Sequence, residues 1–145
     1  MTTEPQLPSA RVERVLPARP EKVYDAWLDE RSLREFMCPA PGQATEVAVD
    51  ARIGGSLRVV MTFPHGQAEI TGEFVALDRP ERVSFTWRTD AGDPESIVTV
   101  LLAPHGEDQT HMTIIHSRQP PALVPSYQAG WTSVAERLGE HLAGE

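Results

Sequence analysis

The sequence predicts an α+β protein in which a curved antiparallel sheet of about seven strands wraps around a long C-terminal helix. Three observations carry this prediction. Hydrophobic residues repeat with a period of two over residues 45–117, a long amphipathic stripe follows them, and two short helical segments come after the first strand. The C-terminal stripe is the only segment with enough apolar surface to cover the sheet, so the sheet must curl around it.

The chain begins with one strand and two short helices. Charged and apolar residues alternate over residues 11–16, which predicts the first strand. Pro20 suits the first turn of a helix, where its missing N–H costs nothing, and Glu21 favours the positive helix N-terminus. A second helix is predicted over residues 31–37, and Pro39 ends it.

Six further strands, joined by short turns, are predicted to form an antiparallel meander. The sixth strand of the chain is placed over residues 96–103 and the last over 109–117. Gly54 and Gly55 at a strand start give the backbone freedom to bend or bulge. The inward-facing residues of three strands are Leu57, Val59, Met61 and Phe63; Val83, Phe85 and Trp87; and Met112, Ile114 and His116.

The closing helix is predicted to run from Ser126, as N-cap, to Leu142. Its apolar stripe comprises Tyr127, Trp131, Val134, Leu138 and Leu142. Gly130 lies within this stripe, where glycine costs about 1 kcal/mol relative to alanine. Two explanations stay open for Gly130: it allows close contact between helix and sheet, or it leaves empty space.

Length, charge and cysteine content narrow the classes of function. The 145 residues fit a flexible tail over residues 1–10 and a single domain over residues 11–143. A net charge of -8 argues against nucleic acid and against anionic membrane surfaces as partners. Cys38 is the only cysteine, which fits a reducing compartment, and the sequence shows neither a signal peptide nor a membrane span. We therefore predict a cytoplasmic protein, and leave a homodimer open.

Five segments share a characteristic order of glycine, proline and aromatic residues: Ala18-x-Pro20-Glu21-x-Val23-Tyr24-x-Ala26-Trp27, Gly54-Gly55-x-Leu57-Arg58, Gly72-x-Phe74, Pro80-Glu81-Arg82-Val83-x-Phe85-Thr86-Trp87, and Gly130-Trp131. Together they resemble the activator-of-heat-shock-protein-90-ATPase-like branch of the START-like (SRPBCC) superfamily. The resemblance covers residues 11–143 and implies a helix-grip fold, like that of the birch pollen allergen, with a cavity between sheet and last helix. Many such relatives bind hydrophobic small molecules, and some are polyketide cyclases or aromatases.

The chain departs from this family pattern in two places. Relatives often carry a tryptophan-rich segment after the second short helix, whereas this chain has Phe36-Met37-Cys38-Pro39. Flexible Met and small Cys predict a softer, more open cavity rim and a different ligand. The eukaryotic co-chaperone also has a separate N-terminal domain for its chaperone, and we expect no room for one here. That departure weakens transfer of the chaperone role.

The leading hypothesis is a non-catalytic domain that binds a small hydrophobic or aromatic molecule. His116 and Tyr127 are predicted to supply hydrogen bonds inside a mostly apolar pocket. Two alternatives stay open: a cyclase-type or dehydratase-type enzyme that uses these two residues, and a co-chaperone that stimulates a heat-shock chaperone ATPase. The predicted ligand-binding residues are Met37, Met61, Phe74, Trp87, Val98, His116, Tyr127 and Trp131.

Residue patterns for other chemistry are weak. No pair among the 5 histidines has metal-ligand spacing, and nothing in the sequence supplies a base for Cys38 as a nucleophile. The sequence contains no phosphate-binding glycine loop. We therefore predict no catalytic residue, no metal and no cofactor.

Overall fold

A seven-stranded antiparallel sheet forms the body of the molecule, in a computed structural model that describes residues 9–92 and 94–144. The spatial order of the strands is β1-β7-β6-β5-β4-β3-β2, so β2 to β7 form a meander and β1 pairs with β7. The predicted number of strands and their antiparallel pairing are confirmed. The strands are β1 (Ala10–Leu16), β2 (Gln43–Val49), β3 (Ser56–Phe63), β4 (Gly66–Asp78), β5 (Arg82–Thr89), β6 (Ser96–His105) and β7 (Gln109–Ser117).

Within the described residues, three α-helices complete the fold: α1 (Pro20–Ala26) and α2 (Glu30–Phe36) follow β1, and α3 (Val124–Ala143) follows β7. The Asp29 side chain caps α2 by accepting the N–H of Ser32 at 2.9 Å. The apolar stripe of α3 packs into the same core cluster as the inner face of the sheet, with four of its residues buried and Tyr127 partly buried. The sheet therefore curls around α3, and the predicted helix-grip fold is confirmed.

Several element boundaries differ from the sequence prediction. β1 begins at Ala10, inside the range assigned to the flexible tail, while residues 1–8 lie outside the described residues. β2 begins at residue 43, two residues earlier than predicted, and β6 continues to residue 105 because it stays paired with β7 to its end.

The start of α3 was predicted wrongly, because Ser126 lies inside the helix and is not its N-cap. A short 3-10 turn over Pro121–Leu123 leads directly into the helix, and Leu123 occupies the N-cap position without any side-chain hydrogen bond. Pro125 falls in the first turn, where its missing N–H has no partner to lose. A favourable first-turn proline thus replaces the expected serine cap.

Gly55 and Gly72 lie where a neighbouring backbone carbonyl leaves no room for a side chain. A Cβ on Gly55 would lie 2.1 Å from the carbonyl oxygen of Asp50, and a Cβ on Gly72 would lie 2.1 Å from that of Thr86. Gly54 adopts a φ of 81°, a conformation that glycine tolerates best. Pairing registers also shift within β2–β3 and within β4–β5. Gly54 and Gly55 themselves lie in the connection between β2 and β3, whereas the register shifts occur between Ala44 and Glu46 and between Phe74 and Ala76.

The inner face of the sheet carries the residues that the alternation predicted. Phe85 and Trp87 of β5 and Met112 and Ile114 of β7 are buried, and His116 is completely shielded from solvent. These residues form one mostly apolar layer between the sheet and α3, with His116 inside it.

None of the helices in the described part of the chain is long and apolar enough to cross a membrane.

Gly72→Ala is expected to destabilise the protein by at least about 2 kcal/mol, because the added Cβ collides with a backbone carbonyl that cannot move alone. Urea unfolding with an unchanged m-value measures this loss. Gly130→Ala is the matched control: its Cβ would meet only Pro39 Cγ at 3.9 Å, so helix propensity raises stability by up to about 1 kcal/mol. Equal effects of the two substitutions would contradict the prediction.

Candidate ligand-binding site

An apolar cavity of about 320 Å³, partly open to solvent, lies between α3, the strands β3 to β5 and the loop after α2. Its volume is at the lower end of the range for small-molecule sites. Most of its wall is apolar, and the polar lining residues are Thr89, Asp90, Ser126 and Tyr127. The complete lining is Met37, Pro39, Met61, Phe63, Ala68, Ile70, Trp87, Thr89, Asp90, Ala91, Ser126, Tyr127, Gly130, Trp131 and Val134.

Gly130 contributes to this cavity by having no side chain. A Cβ built on Gly130 would meet one atom within 4 Å, the Pro39 Cγ at 3.9 Å, which is an ordinary contact. The glycine is therefore not required for close helix–sheet packing. Of the two explanations that the sequence left open, the geometry supports the second, in which Gly130 leaves empty space.

The loop that closes one side of the cavity is held by α3. The guanidinium Nη1 of Arg137 donates to the carbonyl oxygens of Cys38 at 2.9 Å and Gly42 at 2.7 Å. The hydroxyl of Ser133 accepts the N–H of Ala40 at 2.8 Å. These bonds satisfy backbone groups that no strand pairs with, so they fix the wall that contains Met37 and Pro39.

Five of the eight predicted ligand-binding residues line the cavity, and the structure brings them together: Met37, Met61, Trp87, Tyr127 and Trp131. The other three, Phe74, Val98 and His116, are buried in the core and do not line this cavity. His116 contacts the rings of Trp87, Tyr127 and Trp131, with centroid distances of 5.1, 4.5 and 5.8 Å. The His116 ring thus packs against three cavity-lining residues without lining the cavity itself.

The protonation state of the His116 ring follows from its hydrogen-bond partners. The indole N–H of Trp131 donates to His116 Nδ1 at 2.9 Å, and an indole nitrogen can only donate. Nδ1 is therefore an acceptor, and in the neutral ring the proton sits on Nε2, which donates to Ser96 Oγ at 2.7 Å. Burial lowers the pKa of His116 to about 3, so the neutral ring is the stable form.

This assignment bears on the cyclase-type alternative, which required His116 and Tyr127 to lie close together. They do, but the only lone pair on the neutral ring already accepts the Trp131 N–H. Tyr127 Oη in turn accepts the indole N–H of Trp87 at 3.1 Å. The Ser96–His116 pair also has the wrong tautomer for a catalytic dyad, in which the histidine must accept the serine proton. His116 thus acts as a structural link between β7 and α3.

The chain matches the model of a protein family described as activator of Hsp90 ATPase homolog 1-like protein, over residues 17–143. This match spans β2 to β7 and all three α-helices, and begins just after β1. The chain belongs to this family. No curated protein sequence matches it.

Solved structures of the same fold come from several bacteria. The CV1439 protein of Chromobacterium violaceum is 31% identical, with a TM-score of 0.83 over 92% of this chain and 96% of that one. The AHSA1 protein of Silicibacter pomeroyi is 24% identical, with a TM-score of 0.81 over 94% and 98%. DynU16, a protein of the dynemicin biosynthetic locus, is 25% identical, with a TM-score of 0.75 over 93% of this chain and 47% of that one.

Some cavity-lining residues of this family member were not among the predicted ligand-binding residues. Phe63, Ala68 and Ile70 share the inward parity of their strands, so alternation alone was sufficient to find them. Asp90 and Ala91 lie in the connection after β5, where no periodicity marks an inward side chain. Loop residues of this kind are located only by the tertiary structure.

Cys38 lies in the segment where the sequence departs from the family pattern, but it is not part of the cavity wall. The thiol is buried, and burial raises the pKa of Cys38 to about 11, which opposes formation of the reactive thiolate. Within residues 9–92 and 94–144, no three His, Cys, Asp or Glu side chains are grouped so as to hold a metal ion. Met37 and Pro39 are the residues of that segment that face the cavity.

Protonation of His116 should make stability depend on pH. The unfolded chain takes up this proton below about pH 6.5, whereas the folded protein does so only below about pH 3. The unfolded state therefore binds more protons in between, and stability is lost as the pH falls through this window, by up to about 1.4 kcal/mol per pH unit. Urea unfolding at about pH 7 and about pH 5 measures the slope, in a range where carboxylates contribute least.

The variant His116→Gln is expected to lose this component, because glutamine can still accept from Trp131 and donate to Ser96 but does not titrate. His65→Gln, at an exposed position, is the matched control and should keep the wild-type slope. A slope in His116→Gln equal to that of the wild type would show that another group causes the pH dependence.

Proposed function

We propose that the chain is a binding domain for a small hydrophobic or aromatic molecule, which occupies the cavity beside Gly130. The observation that carries this proposal is the apolar, partly open space of about 320 Å³ that the missing Gly130 side chain helps to create. An apolar pocket with a few placed polar groups is the usual form of a small-molecule site. DynU16, one of the similar structures, comes from a biosynthetic locus, which is consistent with a small organic ligand.

Aromatic side chains favour a flat ligand. Trp87 and Trp131 both line the cavity, with ring centroids 5.3 Å apart and planes inclined by 59°. Tyr127 packs edge-on against Trp87 at 6.1 Å and lines the same space. Aromatic faces and edges offer large contact areas with few rotatable bonds, so they bind rings at low entropic cost. Met37 and Met61 on the other walls can adapt to the outline of the ligand.

The compartment is part of the same proposal. The single cysteine is buried and needs no oxidising environment, and we place the protein in the cytoplasm on this ground. A hydrophobic cytoplasmic metabolite is then the class of ligand to screen first. Native mass spectrometry of gently purified protein, with a panel of lipids and aromatic compounds, identifies both a co-purified ligand and new ones.

Substitution at Gly130 tests the location of the ligand. Gly130→Leu places a branched side chain in the cavity and is expected to weaken binding at least about fivefold, since overlap of this kind costs about 1–3 kcal/mol. Leucine is a good helix former, so the variant should fold. Isothermal titration calorimetry with a ligand found in the screen provides the measurement.

Ala129→Leu is the control, because it adds a similar volume to the preceding, exposed position of the same helix. It should leave affinity unchanged. If the two leucine variants bind equally well, the ligand does not occupy the cavity beside Gly130. If no member of the panel binds to the wild type, the binding function itself is wrong.

A further inference from the structure

We propose that the cavity selects apolar ligands whose exposed end carries a positive charge or a hydrogen-bond donor, and that it rejects carboxylates, with Asp90 as the specificity-determining residue. This inference rests on the proposed ligand-binding function and adds the chemistry of the ligand's polar end. It follows from where the charged and polar groups lie along the cavity wall.

The cavity has an apolar interior and a polar margin. Trp87, Trp131 and Val134 are buried, whereas Asp90 and Ser126 line the same space and are exposed. A ligand that places its rings against the buried wall therefore leaves its other end near the exposed residues. A polar substituent at that end of the ligand stays in contact with water.

The backbone at Asp90 is fixed by the sheet. The N–H of Asp90 donates to the carbonyl oxygen of Glu69 at 3.2 Å, directly beyond the β4–β5 pair formed by Ile70 and Thr89. The carboxylate is thus attached to an anchored position at the end of β5. A carboxylate on an anchored backbone position loses less conformational freedom on binding than one on a mobile loop, so it discriminates better between classes of ligand.

Positive charge is missing from the same wall. None of the described lining residues is Lys, Arg or His, and by sequence residues 1–8, 93 and 145 contain none of these either. Arg88 belongs to the opposite face of β5 and is paired with Glu95 at 2.7 Å. His65 stacks on Phe63 with ring centroids 5.6 Å apart, but it is not part of the lining.

A ligand carboxylate in this cavity would lose water without gaining a cationic partner, and it would face the Asp90 carboxylate. The net charge of -8 adds a repulsive field for anions and an attractive one for cations. An ammonium group or a hydroxyl at the exposed end can instead donate to Asp90. The expected order of affinity is therefore amine, then alcohol, then acid.

Three ligands with the same two-ring apolar part separate this inference from the proposed function: naphthylmethylamine, naphthylmethanol and naphthylacetate. Calorimetric titration at low salt is expected to show the amine binding about threefold tighter than the alcohol, in line with the modest strength of solvent-exposed ion pairs. The acid is expected to bind at least about threefold more weakly than the alcohol, and added salt should reduce both ratios.

Asp90→Asn removes the charge at the cavity margin and should bring the amine-to-alcohol ratio close to one. Glu107→Gln is the matched control, because it removes the same charge from the exposed β6–β7 turn, outside the cavity lining, and should leave the ratio unchanged. His65→Gln should also leave the order of the three ligands unchanged. A ratio that persists in Asp90→Asn would overturn the role of Asp90.

The remaining outcomes distinguish the two proposals. If the alcohol binds to the wild type but the acid binds as well as the amine, the charge preference is wrong and the binding function stands. If all three ligands fail to bind to the wild type, a two-ring ligand does not enter the cavity, and both proposals fail for this class.

Discussion

The hydrogen bond from the Trp131 indole to His116 Nδ1, at 2.9 Å, joins the closing helix to the sheet inside a mostly apolar core. Ser96 completes the arrangement from β6, so β6, β7 and α3 are tied at one buried point. A buried polar group is costly unless its partners are in place, and here both ring nitrogens have one. Because hydrogen bonds are directional while apolar contacts are not, this pair fixes the rotation of α3 over the sheet more narrowly than the apolar stripe does.

The position of α3 in turn determines the cavity. With Trp131 held against His116, the preceding residue, Gly130, faces the space between β3, β4 and the loop after α2. The same helix holds that loop through Ser133 and Arg137, so one element positions two walls. The shape of the apolar cavity therefore depends on the hydrogen bond between Trp131 and His116, although His116 does not line the cavity.

The sequence predicted the fold well because its signals are local and repeated. β7 agrees with its predicted bounds, and its alternating residues face inward as expected, since a period of two leaves few other solutions. The start of α3 was missed because a serine that resembled a cap competes with a first-turn proline, and only tertiary structure decides between them. For the site, parity identified the aromatic wall. It did not reveal that His116 bonds to Trp131 or that Asp90 reaches the cavity, because both depend on packing between distant segments.

Trp131 belongs both to the cavity wall and to the hydrogen bond with His116, and this shared membership connects ligand binding to stability. A ligand that packs against Trp131 adds contacts only in the folded state, so its binding opposes unfolding by mass action. Conversely, a change at His116 alters how firmly the Trp131 ring is held, and with it the shape of a wall that the ligand contacts. Affinity should therefore respond to a residue that the ligand does not touch, whereas a loss of the same stability elsewhere in the sheet should leave affinity unchanged. This difference distinguishes a preorganised binding site from an incidental gap in the core. Only in a preorganised site does ligand affinity depend on how rigidly the Trp131 ring is held.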